Sequence, residues 1–242
     1  MPQSFVKLRV YIKVEKKWQI HIKKGKTMTT SKKGNQTKQN IINSAKILFY
    51  EHGYNKTGIQ DIADHADVKL GTITYYYKKK DDMITDIYNV FFLALYDYVS
   101  VTSNNLNLFT KYCYSLVLYY EAILNNEHNK NLYYEVLIKN VNPKGRTNIT
   151  NTLNRSCLDF LNKNYIEADL EVIARSDYGA RKELFVNFYE KEIKFTGRAM
   201  IYFFIRNLFR LMNLDGDMIE NTIQQGFEFS NKNKQQDIKF LV

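Results

Sequence analysis

The sequence contains little of what characterises disulfide-rich, zinc-binding or membrane-embedded proteins. It has two prolines and two cysteines in 242 residues. Cys113 and Cys157 lack CxxC or metal-ligand spacing, which argues against a disulfide framework and a zinc site. An uninterrupted run of about 18 apolar residues and the apolar core of a secretory signal are also missing. We therefore expect a cytoplasmic protein with no membrane partner, no metal and no cofactor.

The positive charge is concentrated at one end of the chain. The formal net charge is +10, and residues 1–34 hold ten Lys or Arg and one Glu. Residues 35–85 have a net charge of +1, and residues 86–242 are neutral overall. A basic excess is typical of proteins that bind polyanions. Here it indicates little about the remaining 208 residues, whose net charge is only +1.

Residues 1–34 are best treated as a basic extension. Apolar and polar residues alternate from Val6 to Ile22, which is the period of a strand, but one strand without a partner is not stable. We expect residues 1–27 to be either a loosely held extension or the product of a mis-assigned start, with a structured strand as the alternative. The arm around Lys32 and Lys33 fits either contacts with the phosphates of a polyanionic partner or a solvated tail.

Helical periodicity begins at Thr37 and continues with Gly53 as a first stop signal. The sequence TGIQ fits a capping box, with Thr57 as the N-cap of a second helix and Gln60 at its N3 position. A third helix is predicted from about Leu70 to Tyr77, and Asp81 is the predicted N-cap of a long fourth helix.

The pattern after residue 100 also predicts helices. Gly179 and Gly216 are expected to mark turns, and no convincing strand follows residue 30. The predicted fold is all-α, with a small N-terminal helical unit and a larger bundle. The predicted C-terminal helical stretches are Leu108–Leu124, Leu132–Ile138, Ile149–Ile173, Leu184–Met212 and Met218–Phe229.

Three short helices with a tight second turn have the shape of a helix-turn-helix unit. The order of residues from Ile41 to Ile84 resembles the DNA-binding domain of TetR-family transcriptional regulators. The resemblance does not extend to the C-terminal 150 residues, which diverge in that family. It is carried by Gly53, Tyr54 and Thr57, by Asp61, Ile62 and Ala63, by Gly71, Thr72 and Ile73, and by Tyr76, Tyr77, Lys78 and Lys80.

The chain departs from the family pattern in the second turn and at positions that contact DNA bases in the family. Asp67 replaces the usual glycine of the second turn, and Asp tolerates a left-handed backbone better than most residues. Lys69 stands where Ser is common, and Thr74 and Tyr75 stand where Tyr and His are frequent. The base preference of a relative therefore cannot be transferred.

The resemblance implies that one helix enters the DNA major groove. Thr57, Tyr76 and Lys80 match phosphate-binding positions of the family, whereas Val68, Ile73 and Tyr77 are expected in the core. The predicted base-reading residues are Lys69, Leu70, Gly71, Thr72, Thr74 and Tyr75.

The resemblance further implies a larger domain that dimerises through its last two long helices and encloses a pocket for an apolar or aromatic effector. For the pocket we expect Tyr88, Phe91, Tyr112, Leu116, Tyr120, Tyr134 and Phe160, with Phe109, Cys113, Tyr119 and Tyr133 as further candidates. For the homodimer interface we expect Phe195, Ala199, Tyr202, Phe203 and Phe209, with Arg206 and Arg210 on the same stripe.

The predicted domains are the extension at 1–34, a helix-turn-helix domain at 35–82 and a ligand-binding and dimerisation domain at 83–242. The predicted function is a ligand-released repressor that binds a palindromic DNA operator as a dimer. The alternative is a helical ligand-binding or scaffold protein of TetR-like fold without operator binding. Catalytic residues are not expected, because HExxH, GxSxG, P-loop and GxGxxG patterns are missing.

Overall fold

The structure, a computed structural model, describes residues 32–103, 105–141, 143–233 and 238–242. These residues form α-helices joined by short connections, and no strand occurs among them. The all-α prediction is confirmed. The predicted strand at residues 6–22 lies outside the described residues. The helices are α1 (Lys32–Lys56), α2 (Ile59–His65), α3 (Leu70–Tyr76), α4 (Lys80–Thr102), α5 (Leu108–Leu124), α6 (Glu127–Ile138), α7 (Pro143–Phe160), α8 (Glu167–Tyr189), α9 (Gly197–Leu211) and α10 (Gly216–Lys232).

Helices α1, α2 and α3 share one small core. Ile41 and Phe49 of α1, Ile62 of α2 and Ile73 of α3 are completely buried, as the helical spacing of their apolar residues predicts. Gly53 interrupts α1 with a left-handed φ of 78°, so the predicted stop signal is confirmed. A glycine is suited to this position because other residues are strained there.

Two predicted N-caps are wrong. Gly58, not Thr57, precedes α2, and its N–H donates to the carboxylate of Asp61 at 2.7 Å. Lys79, not Asp81, precedes α4. In both cases the helix begins one or two residues away from the residue with the best capping side chain, because an acid at the third helical position accepts the backbone N–H instead.

Two long predicted helices are each broken by a left-handed residue. The stretch Ile149–Ile173 is divided at Asn162, which has a φ of 51°. The stretch Leu184–Met212 is divided at Lys191, which has a φ of 66°. The predicted turn at Gly179 is also wrong, because this glycine lies inside α8.

The larger bundle is built around α5. Its residues are buried on most sides, and α4, α7, α9 and α10 pack against it. Gly226 of α10 lets the two helices approach closely, since a Cβ there would lie 3.0 Å from Val117 Cγ2. Phe240 is buried against Tyr88 and Phe91 of α4, and its ring centroid lies 4.9 and 5.1 Å from theirs.

None of the described helices combines the length and the apolarity that a membrane span requires.

Candidate nucleic-acid interface and interior cavity

Helix α3 is fixed to the protein by one face. Ile73 is fully buried and Tyr77 is 3% exposed, as predicted, and Val68 is half-buried. Tyr77 donates its hydroxyl to Asp86 Oδ2 at 2.9 Å. Burial, together with the charge of Asp86, raises the pKa of Tyr77 well above its usual range. The hydroxyl therefore remains a donor, and the inner face of α3 is fixed.

The opposite face of α3 is turned to solvent. Tyr75 is 69% exposed and Leu70 is 44% exposed. Lys69, Gly71 and Thr74 are also exposed, and Thr72 is half-buried. A Cβ built on Gly71 meets no described atom within 4 Å. All six predicted base-reading residues thus lie on or beside one accessible surface, which we call the reading face (Lys69 to Thr72, Thr74 and Tyr75).

The turn before α3 is built without glycine. Asp67 has a φ of 51°, so it adopts the left-handed conformation that we expected of it. The N–H of Val68 donates to the carbonyl of Ala63 at 3.0 Å, which closes the end of α2. Asn40 of α1 donates to the carbonyl of Ala66 at 2.8 Å. These bonds set the angle at which α3 leaves α2.

Asp86 of α4 joins α1 and the end of α3 to the long helix. Besides accepting from Tyr77, which directly follows α3, the Oδ2 of Asp86 lies 2.9 Å from the ammonium of Lys38 of α1. Tyr54 donates its hydroxyl to Asp81 Oδ1 at 2.5 Å, at the start of α4. The position of α4 therefore determines the position of the reading face.

The predicted phosphate-binding role of Thr57 does not agree with its surroundings. Thr57 is 1% exposed, and its hydroxyl lies 2.7 Å from the carbonyl oxygen of Gly53 and 3.1 Å from that of Leu48. A buried hydroxyl that is already bonded to helix α1 is not placed to meet a phosphate.

The other two phosphate candidates also have partners in the protein. Tyr76 is half-buried and donates its hydroxyl to the carbonyl of Gly34 at 3.0 Å. The Lys80 ammonium donates to the carbonyls of Tyr54 and Thr57 at 2.6 and 2.7 Å. Burial lowers the pKa of Lys80. An ammonium has three N–H donors, and Lys80 uses two of them for these carbonyls, so one donor remains for a phosphate.

Exposed lysines flank α2 and α3. Lys56 ends α1, Lys69 precedes α3, and Lys78 and Lys79 follow α3. Such side chains attract phosphates without reading sequence.

A cavity of about 70 Å³ lies inside the larger bundle. Of the seven pocket residues we predicted first, Tyr88, Leu116 and Tyr120 line it, as do the further candidates Tyr119 and Tyr133. Phe91 and Tyr112 are buried in the core beside it, and Tyr134 and Phe160 lie elsewhere on the bundle. Phe91, Tyr112, Tyr134 and Phe160 do not line this cavity, so their place in an effector pocket stays a prediction.

The charged part of this lining was not predicted from the sequence. Asp177 and Arg181 of α8 form a buried ion pair at 2.8 Å. Their spacing of four residues was the available signal, but it does not distinguish a buried pair from an exposed one.

The predicted dimer surface is partly exposed. Phe195 and Phe203 are 38% and 36% exposed, and their rings lie 5.2 Å apart. Ala199 and Tyr202 are half-buried and line a groove between α9 and α10. Phe209 was assigned wrongly, because it is fully buried against Phe109 of its own chain.

Helix α6 forms a second connection between the bundle and α1. His128 stacks on Tyr50 with ring centroids 4.2 Å apart, and its Nδ1 lies 2.7 Å from the Tyr50 carbonyl. Glu135 accepts the N–H of Asn55 at 3.0 Å. A Cβ on Gly53 would lie 2.8 Å from the same carboxylate, so the glycine permits this approach.

Part of the chain is similar to known bacterial regulatory proteins. Residues 41–87 match the family described as bacterial regulatory proteins, tetR family. A Bacillus subtilis (strain 168) protein named "Probable HTH-type transcriptional regulator YttP" is 30% identical over 93 residues, 38% of this chain and 44% of the relative. The transposon Tn10 TetC protein of Escherichia coli is 29% identical over 96 residues, 40% of this chain and 48% of the relative. The chain thus spans less than half the length of the curated relatives it matches.

Two solved structures share the fold over most of the chain. RolR in complex with resorcinol has a TM-score of 0.53 at 16% identity, covering 81% of this chain and 96% of RolR. A TetR transcriptional regulator from Rhodococcus sp. RHA1 has a TM-score of 0.53 at 12% identity, covering 76% and 100%. Residues 41–87 of the helix-turn-helix unit thus match the family of bacterial regulatory proteins, tetR family, and the chain shares the all-helical fold of these two solved structures.

Proposed function

We propose that the protein is a cytoplasmic transcriptional repressor that binds a palindromic DNA operator as a homodimer and leaves it when a small-molecule effector binds. The observation that carries this proposal is the reading face of α3, which is exposed while Ile73 and Tyr77 hold the opposite face. In this proposal residues 35–82 bind DNA, and residues 83–242 bind the effector and dimerise. Catalysis has no part in it.

A dimer is mechanically required for such an operator. A helix of seven residues reaches only a few base pairs, so two copies must read half-sites about one DNA turn apart. The exposed rings of Phe195, which precedes α9, and of Phe203 on α9 lie beside the groove to α10 and supply an apolar surface for this pairing. Helix pairs of two protomers can bury such a stripe in a four-helix interface.

Helices α4 and α6 connect the cavity with the helices that hold the reading face. Tyr88 of α4 lines the cavity, and Asp86, two residues earlier, accepts the bond from Tyr77 below α3. Tyr133 of α6 lines the cavity, and Glu135, two residues later, accepts the N–H of Asn55. A ligand that favours other positions of these two helices would change the separation of the reading faces and lower DNA affinity.

The test is a DNase footprint with the full chain on the DNA upstream of its own gene at moderate salt. We expect a protected inverted repeat, lost in Tyr75→Ala, which removes an exposed side chain of the reading face. The matched control is Val101→Ala, because Val101 is 74% exposed at the far end of α4. Loss of protection in both variants would contradict the assignment of the reading face.

The alternative, a ligand-binding or scaffold protein without operator binding, is favoured by one observation. The net charge of residues 35–85 is only +1, and Asp61 and Asp64 are exposed on α2, beside the proposed interface. Carboxylates repel phosphates. Failure to protect any DNA at low or moderate salt would support this alternative.

A further inference from the structure

The cavity combines an ion pair with phenolic side chains. Asp177 and Arg181 have side chains that are 5% and 15% exposed. The Nη2 and Nε of Arg181 lie 2.8 and 3.1 Å from Asp177 Oδ2, and its Nη1 lies 3.1 Å from the hydroxyl of Tyr133. The pair is neutral as a whole, so the cavity contains strong polar groups without an excess charge.

Hydrogen-bonding capacity remains on both members of the pair. A guanidinium has five N–H donors, and the three bonds described leave two of them. Both bonds to Asp177 end on Oδ2, which leaves Oδ1 as an acceptor. The site can therefore both donate to and accept from one ligand group.

The volume limits the ligand to about one ring. A cavity of about 70 Å³ is about half the size of a cavity of about 150 Å³ that binds benzene, so it takes at most one ring. Sites for drug-sized ligands measure about 300–1,000 Å³. Tyr88, Tyr119 and Tyr120 supply aromatic walls, which favour a planar ligand.

The charges select against three other ligand classes. An anion must compete with Asp177 for Arg181 and meets the carboxylate at short range, and a cation meets the guanidinium. An apolar ring leaves the remaining donors and the acceptor without partners, which is unfavourable in a buried site. We propose that the effector is a neutral single-ring molecule with a hydroxyl or N–H group that bonds to Arg181 and Asp177. This inference rests on the proposed function only in taking the cavity as the effector site.

The test is calorimetric binding of four matched probes to the full chain without DNA: p-xylene, p-cresol, p-toluate and 4-methylbenzylammonium. We expect p-cresol to bind at least about tenfold more tightly than the others, the effect of one or two hydrogen bonds to charged groups. Equal or tighter binding of any other probe overturns the inference, and so does binding of none of them.

A variant changes the predicted preference. In Asp177→Asn the charge of Arg181 is no longer balanced, so p-toluate should gain about tenfold or more and exceed p-cresol. The matched control is Glu171→Gln, because Glu171 pairs with Arg175 at the same spacing on the same helix but is 65% exposed. An unchanged preference in Asp177→Asn overturns the inference.

A second variant covers the case in which Asp177→Asn does not fold. The double variant Asp177→Leu and Arg181→Met replaces the pair by apolar residues, a change that proteins often tolerate. It should prefer p-xylene to p-cresol, and a retained preference for p-cresol overturns the inference. A separate DNA-release assay distinguishes the two proposals: p-cresol that binds without releasing DNA contradicts the repressor mechanism and supports the cavity chemistry.

Discussion

Side chains close to the reading face are held by partners within the protein. The Lys80 ammonium donates to two carbonyls at the end of α1 and lies 4.0 Å from the centroid of the Tyr54 ring. Thr57 is bonded to carbonyls of the same helix. At the scale of single residues, these groups position α1 against α4, and the exposed residues of α3 are left to meet DNA.

Thr57→Val tests this division of roles. The substitution keeps the shape and removes a buried hydroxyl, so the free energy of unfolding should fall by about 1–2 kcal/mol in urea denaturation. The DNA affinity of the folded protein should not change. Thr74→Val is the matched control on the reading face, with stability within about 0.5 kcal/mol and weaker DNA binding. Weaker DNA binding by Thr57→Val at unchanged stability would restore its phosphate role.

Lys69→Ala and Lys78→Ala separate base reading from phosphate attraction. Lys69 stands at the first position of the reading face, so its loss should change the preferred base at one position of each half-site, by about 1–3 kcal/mol. Lys78 follows α3, and its loss should weaken binding to all sequences and reduce the salt slope by about one. Affinity measurements on a panel of operator variants at several salt concentrations check both. A uniform loss in Lys69→Ala argues against base reading.

At the scale of elements, five helix ends among the described residues use a left-handed residue other than glycine. Asp67, Asn140, Asn162, Lys191 and Asn213 all have positive φ values. In each case the next residue donates its N–H to a carbonyl five positions earlier, as in a Schellman motif. The sequence has 25 asparagines and 10 glycines.

The use of aspartate, asparagine and lysine at left-handed helix ends explains which elements could be predicted from the sequence. Helix α5 was predicted with its observed bounds because apolar residues fill it and no left-handed residue interrupts it. The breaks at Asn162 and Lys191 could not be predicted in this way, because glycine is the usual signal for a left-handed turn and neither break contains one. A lysine in this conformation has no local sequence signal, since the closing bond comes from the backbone of Glu192 to Asn187.

Two glycines inside helices should respond in opposite directions to alanine. Gly226→Ala places a Cβ 3.0 Å from Val117 and 3.3 Å from Tyr114 of α5, so it should lower the free energy of unfolding by about 1–3 kcal/mol. Gly179 lies in α8, where a Cβ meets no described atom within 4 Å. Gly179→Ala should therefore raise stability by about 0.5–1 kcal/mol. Urea denaturation of both variants measures this. A Gly226→Ala variant that is as stable as the parent would contradict the packing of α10 on α5, and a loss in Gly179→Ala would contradict the open surroundings of Gly179.

At the scale of the molecule, function depends on where residues are placed more than on net charge. The basic excess lies in residues 1–34, mostly outside the described residues. The reading face could be proposed from residue order because the helix-turn-helix pattern is local. The polar side of the cavity could not, since Asp177 and Arg181 come together with Tyr133 only when α8 packs on α6.

Phe203→Glu tests the proposed dimer surface. A carboxylate on this 36% exposed position of α9 should oppose pairing by about 2 kcal/mol or more, roughly thirtyfold in the dimer dissociation constant. Sedimentation equilibrium measures the shift to monomer. The matched control is Val172→Glu, because Val172 is a 60% exposed apolar residue of α8. If both variants remain dimers, the pairing surface lies elsewhere.

The central claim is that two copies of α3 read DNA sequence, and selection of binding sites from random DNA by the full chain tests it most directly. We predict an enriched inverted repeat whose half-sites are about 10 base pairs apart, or a multiple of that distance. Lys69→Ala should enrich the same repeat with an altered base. Recovery of DNA without any enriched sequence at moderate salt would contradict the claim.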